Sequence, residues 1–308
     1  VWKLGGEENA ALMRWCEEVL GRVEMLDDAT REHAGERASV SKLCALSGEF
    51  VLKRHRDEQH WQSEVHAYEH WAAACGEDAP RLIAVRDEAP CALLITALPG
   101  RPVEGRALAS AAERAVWRSA GGALAKLHAQ SGARSRGAHF GLCRRDGAPV
   151  GAVHEDARDH MRASFDEWIA RGERIGCVRA DERAVVRRAQ ERIDAFAGER
   201  PTACHRDFCT ANWLVTDEGA WSGMIDFEFA HWDVRAADFS RFAEWNWIAR
   251  PDLFDALIEG YGCAIDRDQL FVSRALYALA AVVWGCEVGY LGFAREGREA
   301  LEVLAGDR

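Results

Sequence analysis

The sequence predicts an α+β protein of two unequal lobes, a small N-terminal antiparallel sheet carrying a helix and a larger, mostly helical C-terminal lobe. Three observations predict it. Short β-like runs alternate through the first hundred residues around one clear helix. Pro99-Gly100-Arg101-Pro102 then breaks the pattern, as Pro and Gly punctuate regular structure. Beyond it apolar residues recur at helical spacing, interrupted by one short β insert. The expected division is 1–98 for the first lobe, 99–102 for the hinge and 103–308 for the second.

Each element has its own signal. Residues 38–45 (ASVSKLCA) and 49–54 (EFVLKR) flank the short polar turn Leu46-Ser47-Gly48 and read as a hairpin. In 59–74, Trp61, Val65, Tyr68 and Trp71 form a helical stripe. Strands at 81–86 and 91–98 follow, around the turn Asp87-Glu88-Ala89-Pro90. After the hinge, 108–130 is a long amphipathic helix and a polar, Gly-rich connector runs to 149. Residues 154–171 and 181–197 read as further helices. The β insert comprises 202–206, 213–216 and 221–225, and helices return from 236 to the end.

Composition narrows the function. The chain has 308 residues, with 39 Lys and Arg against 50 Asp and Glu, a net charge of −11. That balance argues against a nucleic-acid partner and permits a cationic substrate. The longest apolar run, 275–285, falls short of the ~20 residues that span a bilayer, so no membrane partner is expected. Val1 to Gly6 leads straight into an acidic amphipathic stretch and reads as no secretory signal. The ten cysteines form no C-x-x-C and no zinc-ligand spacing, and several lie in apolar runs. They read as reduced core residues of a cytoplasmic protein.

The stretch CHRDFCTANWLV, 204–215, carries more polar groups than a buried strand can use. Asp207 and Asn212 share one loop, and Asp226 ends the strand after it. In a hairpin-like insert that strand end returns beside the loop, so three oxygen-bearing side chains converge. Asn and Asp oxygens suit Mg²⁺, and a further carboxylate can accept a hydrogen bond from an attacking hydroxyl. Taken singly, each is also an ordinary turn residue.

His205-Arg206-Asp207 with Asn212, followed by Ile225-Asp226-Phe227-Glu228, resembles the catalytic and metal-binding motifs of the aminoglycoside phosphotransferase family, which is related to choline kinases and has the protein-kinase-like fold. The resemblance covers nearly the whole chain. It implies that Lys53 holds the nucleotide phosphates, that Glu64 is its ion-pair partner, and that 94–102 (LITALPGRP) is the hinge. Asn212 and Asp226 are the implied Mg²⁺ ligands. Asp207 orients the substrate hydroxyl and takes its proton, and His205 braces the loop. The base of ATP, or of GTP, pairs with the backbone of Thr96, Ala97 and Leu98. Asp238 resembles a structural Asp that follows the metal site.

There are departures. The loop 33–39 that should cover the phosphates has one Gly where protein kinases have three, leaving Ser39 or backbone amides as phosphate contacts. Gly often stands where this chain has Arg206. No Lys follows Asp207 within 208–211, and no activation segment fits between Asp226 and Asp238, so protein substrates are not expected.

The implied substrate is a small hydroxylated molecule. Glu228, Asp233, Glu244, Trp245, Trp247 and Glu287, with Trp284, are the candidate substrate residues, because carboxylates beside indole faces suit a sugar or an ammonium group. The alternative is a helical core with Trp as filler. Phosphorylation of an aminoglycoside-like or other hydroxylated antibiotic is the leading expectation. A metabolic kinase of a small amine or amino alcohol, such as choline or homoserine, and an inactive kinase-like binding module are the alternatives.

Overall fold

Side-chain alternation along one central strand sorts the N-terminal lobe into two faces. The computed structural model describes residues 6–28, 38–55, 57–130, 139–241 and 249–307. In order come α1 (Gly6–Leu20), β1 (Val23–Asp28), β2 (Ala38–Ala45), β3 (Gly48–His55), α2 (Glu58–His70), β4 (Leu82–Arg86) and β5 (Ala92–Thr96). The strands form one antiparallel sheet, β1-β2-β3-β5-β4. β3 is central, pairing Lys53 with Val40 on one side and Leu93 on the other. Successive side chains leave opposite faces of a strand. Phe50 and Leu52 therefore pack with Leu12 and Cys16 of α1. Val51, Lys53 and His55 face α2, whose Trp61, Val65 and Tyr68 are buried. Asp57 caps α2 by accepting a hydrogen bond from His60 N at 3.0 Å.

The C-terminal region contains β6 (Arg101–Pro102), α3 (Ser110–His128), α4 (Ala157–Ile175), α5 (Ala180–Gln190), β7 (Thr202–Cys204), β8 (Trp213–Val215), β9 (Trp221–Met224), β10 (His231–Asp233), α6 (Pro251–Tyr261), α7 (Arg267–Val288) and α8 (Leu291–Gly306). One core joins α2, α3, the β insert and α6 through Trp61, Leu124, Trp213, Phe227 and Leu257. A second lies among α4, α5, α7 and α8. Gly121 and Gly260 let α3 and α6 touch backbone to backbone: a Cβ on Gly260 would fall 1.8 Å from Arg118 O. α7 is long and apolar enough by composition to cross a bilayer (mean hydropathy 1.4). Its Phe271, Val272, Ala275, Leu279 and Val282 nevertheless fill the second core.

The structure differs from the sequence reading in detail. β1 and β10 are additional strands, β10 only three residues long, paired with β7 and bridged to Gly141 through Trp232. The hinge segment is not irregular throughout, since Arg101 and Pro102 pair with Val215 and Leu214. The helix expected over 59–74 stops at His70 and continues as a 3-10 stretch, Ala72–Asp78, in which Gly76 has φ 63°.

Candidate active site

Lys53 brings the two lobes into contact. Its Nζ lies 3.0 Å from Glu64 Oε1 and 2.9 Å from Oε2, 2.5 Å from Asp226 Oδ1 and 3.4 Å from Glu228 Oε2. Helical spacing puts Glu64 on the inward stripe of α2 between Trp61 and Tyr68. His55 Nε2–H donates to Glu64 Oε2 at 2.6 Å. Burial alone would lower the Lys53 pKa, yet Asp226, Glu64 and Glu228 raise it well above its usual value. Burial would likewise raise Glu64 and Asp226, and the Lys53 charge holds both below the ordinary carboxylate range. Glu228 goes the other way: burial raises it, and Asp226 and Glu64 add to that.

The loop after β7 is stitched to the end of β9. Ile225 N donates to Asn212 O at 2.9 Å, and His205 Nε2–H donates to Ile225 O at 3.0 Å. Asp207 N donates to His205 Nδ1 at 3.3 Å. His205 is thus a neutral imidazole, in keeping with burial, which lowers its pKa. Beneath the loop, Asp238 accepts hydrogen bonds from His205 N at 2.8 Å, Arg206 N at 2.6 Å and His128 Nε2–H at 2.9 Å. His128, Cys204 and Asp238 are close enough to hold a metal. The cluster is instead internally bonded: His128 Nδ1 accepts from the Tyr261 hydroxyl at 2.9 Å, and the Cys204 thiol donates to Val234 O at 3.4 Å.

Asn212 Nδ2 donates to Asp207 Oδ2 at 2.7 Å and to Asp207 O at 2.9 Å. Both amide hydrogens are used, leaving Asn212 Oδ1 as an acceptor. Asp226 gives one oxygen to Lys53 and keeps 33% of its side chain exposed. A neutral amide oxygen and a partly exposed carboxylate are hard donors of the kind Mg²⁺ takes.

The other expected site residues have these surroundings. Ser39 pairs with Arg54 across β2 and β3. Thr96 N and Ala97 N already donate to Arg81 O and Glu49 O, so Leu98 N is the hinge amide with no partner among the described residues. Glu228 sits on Lys53, and Asp233 is buried against Arg206 Nε at 3.0 Å and His160 Nε2 at 3.0 Å. Glu287 pairs with Arg171 at 2.5 Å, and Trp284 stacks edge-on with Phe293. Glu244, Trp245 and Trp247, like most of the phosphate-covering loop, lie outside the described residues.

Two features had no signal in the sequence reading. Arg241 Nη1 bonds Asp207 Oδ1, 34 positions away along the chain. The connector at 143–145 grips α2: Gln59 Nε2 and Ser63 Oγ both donate to Cys143 O at 3.2 Å, His66 Nδ1–H donates to Arg145 O, and Arg145 pairs with Glu69.

The family model described as "Phosphotransferase enzyme family" matches residues 9–271. The chain belongs to that family. It is a phosphotransferase that moves phosphate from a nucleotide to a hydroxyl, built on the kinase-like fold. No curated protein matches it in sequence. Among solved structures it is similar to aminoglycoside phosphotransferase APH(4)-Ia in ternary complex with AMP-PNP and hygromycin B, at TM-score 0.70 and 15% identity, covering 96% of this chain and 98% of that one. Macrolide 2′-phosphotransferase MphH from Brachybacterium faecium follows at TM-score 0.61 and 18% identity, covering 96% and 98%. A GDP and kanamycin complex of an APH(2″) enzyme gives 0.68 and 13%, covering 97% and 99%.

Proposed function

We propose that this phosphotransferase moves the γ-phosphoryl group of ATP or GTP to a hydroxyl of a small hydroxylated molecule, of the type represented by the antibiotics of its structural neighbours, and so inactivates it. One observation carries the reading. Asn212 holds Asp207 by its side chain and Ile225 N by its carbonyl, and the next residue, Asp226, bonds Lys53, which Glu64 holds from the other lobe.

Each residue has a part that its contacts support. Lys53, steadied by Glu64, holds phosphate oxygens as a compact positive charge. Leu98 N–H is the free hinge donor for the base. Asp207, its carboxylate oriented by Asn212, accepts the hydrogen bond of the substrate hydroxyl. As the new O–P bond forms and the bond to the departing nucleoside diphosphate breaks, Asp207 takes the hydroxyl proton. His205 fixes the loop and does no proton chemistry, because its Nδ1 already accepts from Asp207 N. Asn212 and Asp226 would hold Mg²⁺, which neutralises phosphate charge when bound. The ten free cysteines support a reducing, cytoplasmic setting.

The test is nucleotide consumption across a panel of aminoglycosides, macrolides, amino alcohols and sugars. Acceptor-dependent turnover that Asp207→Ala removes is the expected result. Turnover that survives in Asp207→Ala would count against the reading.

A further inference from the structure

Asp207 has two carboxylate oxygens, and both are engaged. Asn212 Nδ2 holds Oδ2, and Arg241 Nη1 holds Oδ1. Each carboxylate oxygen can accept a second hydrogen bond, so an acceptor hydroxyl that reaches Asp207 comes to lie beside the guanidinium. Arg241 is only 21% exposed, and its Nε is buried with no hydrogen-bond partner. A planar guanidinium with donors to spare is suited to a second oxyanion in bidentate fashion.

The charges around it decide what that second anion is. Among the described residues, Glu228 faces Lys53, Asp233 faces Arg206 and His160, and Glu287 faces Arg171, and none of the three pairs with Arg241. Glu296 of α8 is within electrostatic reach of Arg241 but makes no hydrogen bond to it. A polyammonium acceptor would set its charges against the guanidinium at the point of attack. An acceptor bearing its own oxyanion would satisfy Arg241 and free Asp207 Oδ1 for the hydroxyl.

We propose that Arg241 is a specificity-determining residue of the acceptor site and that the acceptor carries a carboxylate or other oxyanion beside the hydroxyl that is phosphorylated. This rests on the phosphotransferase reading of the site and, among hydroxylated acceptors, favours anionic ones over the polycationic antibiotics bound by the aminoglycoside enzymes it resembles.

The experiment compares acceptors matched except for a carboxylate, gluconate against sorbitol and glycerate against ethylene glycol, with kanamycin as the polycation. Phosphorylation by the full chain with Mg²⁺–ATP is followed by phosphorus NMR. The carboxylate member of each pair should have a kcat/KM about ten- to a hundredfold higher, as for one charged hydrogen-bond pair. Arg241→Ala should narrow the preference for that member over its carboxylate-free partner by a similar factor, through a rise in KM confined to the carboxylate member beyond any change in kcat common to both, and Arg241→Lys should recover part of the preference. Equal use of both members, or preferred use of kanamycin that Arg241→Ala leaves unchanged or improves, overturns the assignment of Arg241 while leaving the phosphotransferase reading intact. No phosphorylation of any acceptor overturns both.

Discussion

Asp238 Oδ1 accepts a hydrogen bond at 2.6 Å from the backbone N–H of Arg206, a residue held at φ 65°. The same carboxylate also accepts from His205 N, so one buried group fixes two consecutive amides of the loop that carries Asp207. Asp238→Ala would strip partners from two buried amides and from His128. Each unsatisfied donor costs on the order of 1–3 kcal/mol. We expect a loss of ~3 kcal/mol or more in urea unfolding, together with a fall in kcat that substrate saturation does not restore. Unchanged kcat in a folded Asp238→Ala protein would separate Asp238 from the geometry of the loop.

Arg206 stands in a conformation that favours glycine. The left-handed backbone costs a non-glycine residue ~1–2 kcal/mol, and its guanidinium offsets this by facing the buried Asp233. Arg206→Gly relieves the backbone but strands a buried charge, which costs ~3–5 kcal/mol. The net expectation is destabilisation by about 2 kcal/mol, from the difference of those two effects. Arg206→Gly combined with Asp233→Asn should be milder than the sum of the single changes, as a double-mutant cycle of denaturation midpoints would show.

The outline of the fold and the kinship of the site were legible in the sequence because both rest on local pattern. The stripe Trp61, Val65, Tyr68 and the hairpin flanking Leu46-Ser47-Gly48 announce themselves by period and turn chemistry, and both are present. Three-residue β10 carries no period that could have revealed it. The acids expected around the substrate were read from type and proximity in the chain. In the structure Asp233 serves Arg206, and Glu228 serves Lys53, because buried carboxylates seek cations irrespective of sequence distance. Arg241 is the converse case. It reaches Asp207 only through the path of the chain after Asp238, and no motif spacing encodes that contact.

Asp233 also predicts acid sensitivity. Burial would raise its pKa, but Arg206 and the His160 and His231 rings hold it well below the usual value. A depressed folded-state pKa gives stability that is present above the unfolded value of ~3.9 and lost as pH falls below it. The parent protein should therefore lose stability more steeply than Asp233→Asn between about pH 4 and more acidic conditions. Parallel unfolding curves for the two proteins over that window would contradict the assignment.

The grip of the connector on α2 should be felt at the nucleotide. Gln59 and Ser63 share Cys143 O, five and one residues before Glu64 on the same helix. Releasing both with Gln59→Ala and Ser63→Ala removes two hydrogen bonds worth ~1 kcal/mol each. Looser placement of Glu64 against Lys53 should weaken nucleotide binding by roughly three- to tenfold. Titration calorimetry measures this directly, and the acceptor KM serves as the parameter expected to stay in place.

Asp207 and Asp226 should fail in different ways. Asp207 contacts Asn212 and Arg241 and makes no contact with Lys53, so its carboxylate belongs to the acceptor side. Asp207→Ala should cut turnover by about 10²–10⁴-fold, the span for loss of a positioned proton acceptor, and leave Mg²⁺–nucleotide affinity within a few-fold of the parent. Asp226 lies 2.5 Å from Lys53 Nζ and keeps part of its side chain exposed, so it belongs to the phosphate side. Asp226→Ala should weaken Mg²⁺–nucleotide binding in titration calorimetry, and the deficit should shrink when Mg²⁺ is omitted from both proteins, because the loss lies in the ion's ligand. A Mg²⁺-independent deficit would mean that Asp226 acts on Lys53 alone.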